Sequence, residues 1–130
     1  MMEFKYIVAF TLSLLAFNSQ ADCWVVGELH GMTAIKDDSY RFTEDAFTGR
    51  TFQIIAEKDH SSVTGSDLNY VGLNRKSVLG TFLAGHGRTV ETWNISDDDK
   101  VVFYTLTRTG FSDALDGTKS FVGKVLNKCN

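Results

Sequence analysis

Two titratable side chains, Glu28 and His30, stand two residues apart in the first alternating segment of the chain. Because residues i and i+2 of a β-strand point to the same face, a carboxylate and an imidazole would lie side by side there. Such a pair can act as an acid–base couple or contribute to a metal site. Two ligands do not make a metal site, and on an outward face both would be ordinary surface groups. The pair supports one function hypothesis, a small secreted enzyme, such as a hydrolase, that uses Glu28, His30 and a loop carboxylate.

Sequence motifs of known catalytic sites give this enzyme hypothesis no support. The chain has no Gly-x-Ser-x-Gly elbow, no phosphate-binding glycine loop and no His-Glu-x-x-His. Asp97, Asp98 and Asp99 are consecutive acids, but a calcium site needs about six to eight converging oxygens and neighbouring turn residues point in different directions. A hairpin turn explains these acids better. We therefore expect no catalytic residue set, no metal site and no cofactor.

A second group of side chains has the composition of a binding surface. Trp, Tyr and Arg are enriched at binding hot spots, and Arg88, Trp93, Tyr104 and Arg108 fall within 21 residues. His86 stands between two glycines at a predicted hairpin tip, and loops often carry functional groups. We predict these five residues as the binding site. If Trp93 and Tyr104 face opposite sides of the sheet, one belongs to the core and the other to the surface.

Bulky apolar residues occupy both faces of the predicted strands in this region. Phe103 alternates with Tyr104 and Leu106, and Val90 with Trp93. A barrel with one core needs only one apolar face. Either a loop and the segment 43–47 cover the second face, or an apolar patch is exposed, and exposed patches mark partner or ligand sites.

The first 21 residues have the order of regions found in a secretory signal peptide. Lys5 precedes an apolar run over residues 7–17, and the small residues Ser19 and Ala21 stand just before Asp22. The run has 11 residues, whereas a membrane-spanning helix needs about 20. The alternative is a core helix of the folded domain. We predict a signal peptide over 1–21, one folded domain over 22–130, and export to the periplasm or the extracellular space.

The two cysteines, Cys23 and Cys129, lie near the two ends of the predicted domain. Export would place them in an oxidising compartment, where they are expected to pair. The alternative, two free thiols in catalysis or metal binding, lacks both a Cys-x-x-Cys spacing and a neighbouring histidine. In the chain-entropy model a disulfide closing a loop of this length contributes about 4 to 5 kcal/mol.

Short alternating segments separated by polar turns recur along residues 22–130 and predict β-strands. The predicted strands are 24–34, 40–42, 51–57, 67–73, 77–83, 88–95, 101–108 and 120–126, with one helical turn over 43–47 capped by Thr43. Seven or eight short strands and no long helix predict an all-β fold. A disulfide joining the first and last strands favours a small antiparallel barrel, with a β-sandwich as the alternative.

Charge composition argues against a nucleic-acid partner, and strand length argues against a barrel that spans the outer membrane. The chain has 13 Lys and Arg against 16 Asp and Glu, a net charge of −3, so a nucleic-acid partner is not expected. Outer-membrane strands need about 9 to 11 residues, and most segments here are shorter. The preferred function hypothesis is an exported, non-catalytic binding protein. It would be either an inhibitor or immunity-type protein binder or a carrier of a small apolar ligand.

Overall fold

The computed structural model describes residues 22–129. The predicted signal peptide over 1–21 lies outside the described residues. The strands are β1 (Asp22–Ile35), β2 (Phe42–Ala46), β3 (Thr51–Ala56), β4 (Ser62–Val63), β5 (Asn69–Asn74), β6 (Ser77–Ala84), β7 (Gly87–Ile95), β8 (Val101–Thr109) and β9 (Gly117–Lys128). A single 3₁₀ turn, Lys36–Asp38, follows β1 within this range. No helix in residues 22–129 is long and apolar enough to cross a membrane.

All strand pairs are antiparallel and form one sheet that curls into a nearly closed barrel. The strand order is β4-β3-β1-β9-β8-β7-β6-β5, and β2 pairs with β1 beside β3. The two ends of this order meet through a bridge between Ser61 and Tyr70. There the amide of Gly72 also donates a 3.4 Å hydrogen bond to the carbonyl of Lys58. The predicted barrel is confirmed, and the sandwich alternative is not adopted.

Strand β1 is 14 residues long and changes its pairing partner along its length. Its first part pairs with β3 and its second part with β2, while β9 follows it on the other side. The pairing with β9 shifts register between Gly27 and His30, and Glu28 has a φ of 53°. An extra residue in one strand is a β-bulge, which bends the strand and increases its twist.

The chain termini of the barrel are joined by the predicted disulfide between Cys23 and Cys129. The two cysteines lie on neighbouring strands or their immediate extensions, and the amide of Cys129 donates a 3.1 Å hydrogen bond to the carbonyl of Cys23. The first and last strands are neighbours in the β1–β9 ladder, as expected of a barrel whose first and last strands are joined by a disulfide.

Two local predictions are wrong. Residues 43–47 do not form a helical turn, since β2 continues through Ala46 and Thr43 pairs with Thr33 of β1. The free edge of bent β1 offers β2 a hydrogen-bonding partner, and tertiary pairing outweighs the local capping signal. Tyr40 is not in a strand; it lies in a turn with a φ of 60°. β4 is a two-residue strand that was not predicted. Eight strands follow one another around the barrel and β2 lies off this path, so the predicted number of seven or eight barrel strands is confirmed.

Candidate ligand site inside the barrel

A cavity of about 330 Å³ lies inside the barrel, between the β2–β3 connection and residues 63–68. Its lining residues are Phe47, Arg50, Phe52, Val63, Thr64, Gly65, Ser66, Asp67, Leu68, Glu91, Trp93, Tyr104, Leu106 and Arg108. The lining combines aromatic walls, one buried carboxylate and two arginines. Six of the fourteen lining residues are polar or charged, and pockets that bind small molecules likewise combine apolar walls with placed polar groups.

Aromatic side chains from four parts of the chain form the walls. Trp93 on β7 and Tyr104 on β8 are directly paired in register, so their side chains share the inner face. Their ring centroids are 4.5 Å apart. Phe52 of β3 lies 5.2 Å from the Trp93 ring, and Phe47 lies 5.4 Å from Phe52 and 5.7 Å from Tyr104. Several aromatic ring faces are therefore brought together in one barrel interior.

Glu91 lies among these rings as the one acidic side chain on the buried face of β7, and it is 7% exposed. Its Oε1 accepts a 2.5 Å hydrogen bond from the hydroxyl of Tyr70 and a 2.5 Å bond from Nε1 of Trp93. The Ser66 and Tyr70 hydroxyl oxygens are 2.8 Å apart. Since the single proton of Tyr70 is directed to Glu91, the Ser66 hydroxyl is the donor in that second bond.

Burial and the carboxylate together change the acidity of two tyrosines. Burial raises the pKa of the Tyr70 hydroxyl, and the hydrogen bond to Glu91 raises this pKa further. Burial also raises the pKa of Tyr104, with an added contribution from the charge of Glu91. Both hydroxyls therefore stay protonated well above the pH at which free tyrosine ionises.

Space for the Tyr70 ring comes from the neighbouring strand. Gly80 on β6 pairs with Tyr70 on β5, and a Cβ at position 80 would lie 2.5 Å from Cε1 of Tyr70. A side chain there would push the ring away. Gly80 thus allows the Tyr70 hydroxyl to reach Glu91.

Two arginines line the same cavity with no carboxylate partner. The Arg50 guanidinium lies over the rings of Phe47 and Phe52, with its Cζ 5.5 and 5.0 Å from the ring centroids. Nη1 of Arg108 is 3.5 Å from the carbonyl oxygen of Leu115. Within residues 22–129, neither Arg50 nor Arg108 forms a salt bridge. Both positive charges therefore lack a neutralising carboxylate among the described residues.

The structure brings together three of the five predicted binding residues. Trp93 and Tyr104 are 3% and 4% exposed and share the inner face, and Arg108 lines the same cavity. Arg88 faces outward on β7, and His86 lies at the exposed tip of the β6–β7 hairpin. Neither Arg88 nor His86 lines the cavity.

The sequence did not predict a place in the site for Glu91, Tyr70, Phe47 or Phe52. For Glu91 a signal was present, because it stands between two buried positions of an alternating strand, Thr89 and Trp93. A charged residue on a buried face needs a partner or a function. Tyr70 and Phe47 come from distant segments, and their approach depends on barrel closure.

Glu28 and His30 both lie exposed on β1. Oε2 of Glu28 is 3.5 Å from Nζ of Lys124, an exposed ion pair. His30 borders an open groove with Glu44 and Asp45, and Asp45 already accepts a 3.0 Å hydrogen bond from Lys119. In the described part of the chain, no group of three or more His, Cys, Asp or Glu residues is arranged to hold a metal ion.

The three consecutive acids form the β7–β8 hairpin turn, as the sequence indicated. Oδ1 of Asp98 accepts hydrogen bonds from the Ser96 hydroxyl at 2.7 Å and the Lys100 amide at 3.1 Å. Asp99 pairs with Lys76 at 2.7 Å. The carboxylates of Asp98 and Asp99 are therefore engaged in contacts within the protein.

The second apolar face of the sheet is exposed. Phe103 and Val122 are cross-strand neighbours on the outer face and are 44% and 43% exposed. The segment that could have covered this face points elsewhere, since Phe47 packs against Phe52, Tyr104 and Phe121 of the interior. The apolar surplus in the sequence therefore gives both an aromatic interior and an outer patch.

Comparisons with known proteins give no further information on this site. The chain matches no protein-family model, no curated protein and no solved structure.

Proposed function

We propose that this chain is an exported, non-catalytic binding protein that carries one small, mainly apolar ligand inside its barrel. The observation that carries the proposal is the aromatic-walled cavity of about 330 Å³ in the barrel interior. Small-molecule sites range from about 300 to 1,000 Å³. Barrels of about eight strands are large enough to hold one small ligand.

The direction of the aromatic side chains favours a ligand carrier over a protein binder. Trp93 and Tyr104 are the side chains best suited to a binding hot spot, and both point inward. A protein docking on the outside of the sheet would not reach them. A small molecule in the cavity would contact both rings directly.

The disulfide supports the location that the proposal assigns. A Cys23–Cys129 bridge persists in an oxidising compartment, and the sequence over 1–21 predicts a secretory signal. We therefore place the protein in the periplasm or outside the cell. Recovery of exported protein beginning at Asp22 would support this, and exported protein that retains Met1 would contradict it.

The test uses ¹⁵N-labelled, oxidised protein titrated with 2-phenylethanol, a neutral molecule with an apolar body. The chain has two tryptophans, and only Trp93 lines the cavity, whereas Nε1 of Trp24 donates a 3.2 Å bond to the carbonyl of Arg75. Binding in the cavity should shift the indole N–H resonance of Trp93 with saturation and leave that of Trp24 in place. Equal shifts of the two indole resonances would contradict binding in the cavity.

A matched pair of variants locates the binding. Leu68→Trp fills part of the cavity and should weaken binding at least tenfold, because Leu68 is one of its lining residues. Leu83→Trp makes the same change at an exposed position outside the cavity. Leu83→Trp should bind like the unmodified protein. Equal affinity of the two variants would place the probe elsewhere.

A further inference from the structure

We propose, on the basis of the proposed function, that the ligand is an organic cation with an apolar body, whose ammonium group binds at Glu91. The class comprises primary amines and quaternary ammonium compounds with one positive charge. The argument rests on an unpaired carboxylate, a set of aromatic faces and the charges at the rim of the cavity.

Glu91 is a buried acidic side chain with no cationic partner in the described chain. It is 7% exposed and lines the cavity, and among residues 22–129 it forms no salt bridge. Its two donors, Tyr70 and Trp93, are neutral, and both use Oε1. A buried carboxylate is most stable when a positive charge accompanies its hydrogen bonds. A ligand cation would supply that charge.

The aromatic rings around Glu91 provide a second attraction for a cation. A positive charge over the face of Trp, Tyr or Phe within about 6 Å is stabilised by the ring quadrupole. The protein's own side chains show this preference, because Arg50 lies over Phe47 and Phe52 and Nζ of Lys119 lies 5.7 Å from the Phe121 ring centroid. Trp93 is the ring next to Glu91, since its Nε1 donates to Oε1 of that carboxylate, and it lines the cavity.

The rim of the cavity limits the total charge of the ligand. Arg50 and Arg108 line the cavity without salt bridges, and Asp67 is the one exposed acid in the lining. A second positive charge on the ligand would meet two guanidinium groups. A neutral or anionic tail is compatible with them, so the site favours a single ammonium group at its buried end.

The experiment compares three probes that share one body: 2-phenylethylamine, 2-phenylethanol and 3-phenylpropionate. Each is titrated at pH 7 into the oxidised, ¹⁵N-labelled protein, with the Trp93 indole resonance as the readout and that of Trp24 as the internal control. We expect the amine to bind at least tenfold more tightly than the alcohol and the carboxylate to bind most weakly.

A charge-removing variant assigns the preference to one residue. Glu91→Gln keeps the size and the carbonyl acceptor of the side chain, and should bring the amine and alcohol affinities within about twofold of each other. The matched control is Asp67→Asn, which removes a negative charge from the exposed rim of the same cavity. This control should retain the preference for the amine, because its charge is exposed to water and screened.

The outcomes separate the two proposals. Equal binding of amine and alcohol, or tightest binding of the carboxylate, would overturn the cation inference and leave the ligand carrier intact. Binding of no probe would overturn both. The comparison of probes uses the unmodified protein, so the inference stays testable even if Glu91→Gln fails to fold.

Discussion

The two tryptophans of the barrel are nearly equally buried but serve different regions. Trp24 is 1% exposed and Trp93 is 3% exposed. Trp24 donates to a backbone carbonyl, carries Nζ of Lys128 over its ring at 4.5 Å and lines no part of the cavity. Trp93 donates to a carboxylate and forms a cavity wall. The same residue type therefore packs in the core in one region and lines the candidate site in the other, so burial alone does not separate core residues from candidate-site residues.

The largest loss of stability is expected at Trp24, in the part of the core away from the cavity. Trp24→Ala should lower the free energy of unfolding by about 3 to 5 kcal/mol, the range for deleting a buried Trp or Phe side chain. Trp93→Ala should cost less, because Trp93 lines the cavity and the side chains around it can move into the vacated space. Urea unfolding followed by circular dichroism measures both values. A loss for Trp93→Ala equal to or above that for Trp24→Ala would remove the distinction.

Removal of the disulfide tests how much the covalent link between the first and last strands contributes to stability. Replacing both Cys23 and Cys129 with Ala should reduce stability by about 2 to 5 kcal/mol, because the unfolded chain gains conformational freedom. Thiol titration of the unfolded, unreduced chain should find no free thiol. Two free thiols would refute the bridge. Binding of 2-phenylethanol at a temperature where the variant stays folded should be unchanged, since neither cysteine lines the cavity.

The smallest stability effect is expected at the hydrogen bonds to Glu91. Tyr70→Phe removes one of the two donors to Glu91 and should cost about 1 to 3 kcal/mol. The matched control is Tyr40→Phe, an exposed tyrosine in a turn, which should change stability by less than about 0.5 kcal/mol. Equal losses for the two variants would mean that the bond to Glu91 contributes nothing measurable.

The same tyrosine gives stability a dependence on alkaline pH. Because the pKa of Tyr70 is raised in the folded protein, its contribution is complete below the pKa of unfolded tyrosine, about 10. As pH rises further, the unfolded chain loses this proton more readily than the folded one, so stability falls. In Tyr70→Phe this decline in the urea midpoint above pH 10 should be shallower than in the unmodified protein.

The barrel could be predicted from the sequence because its strands alternate regularly and its cysteines flank the predicted first and last strands. Alternation is a local signal, and it located the meander of β6, β7 and β8 to within a residue or two. The strand β2 could not be found this way. Its pairing depends on the bend in β1 at Glu28, and the local residues, with Thr43 followed by acids, resemble a helix start.

The candidate site was predicted only in part, because residue type was considered without strand register. Arg88 and Arg108 are the same residue type, but Arg88 shares its face with Val90 and Arg108 shares its face with Tyr104. The buried alternation of Thr89, Glu91 and Trp93 would have shown which face of β7 is inward. The partners of Glu91 from other strands could not be found without the three-dimensional closure.

The Cys23–Cys129 bridge makes the chain between these residues a covalent ring of the backbone. A protease that cuts one exposed loop, such as the turn around Lys58 and Asp59, opens this ring once without releasing a fragment. The cut protein is a single molecule with new ends at the loop, equivalent to a circular permutant of the barrel. Release of a fragment therefore requires a second cut, and exposed loop tips are where such cuts concentrate.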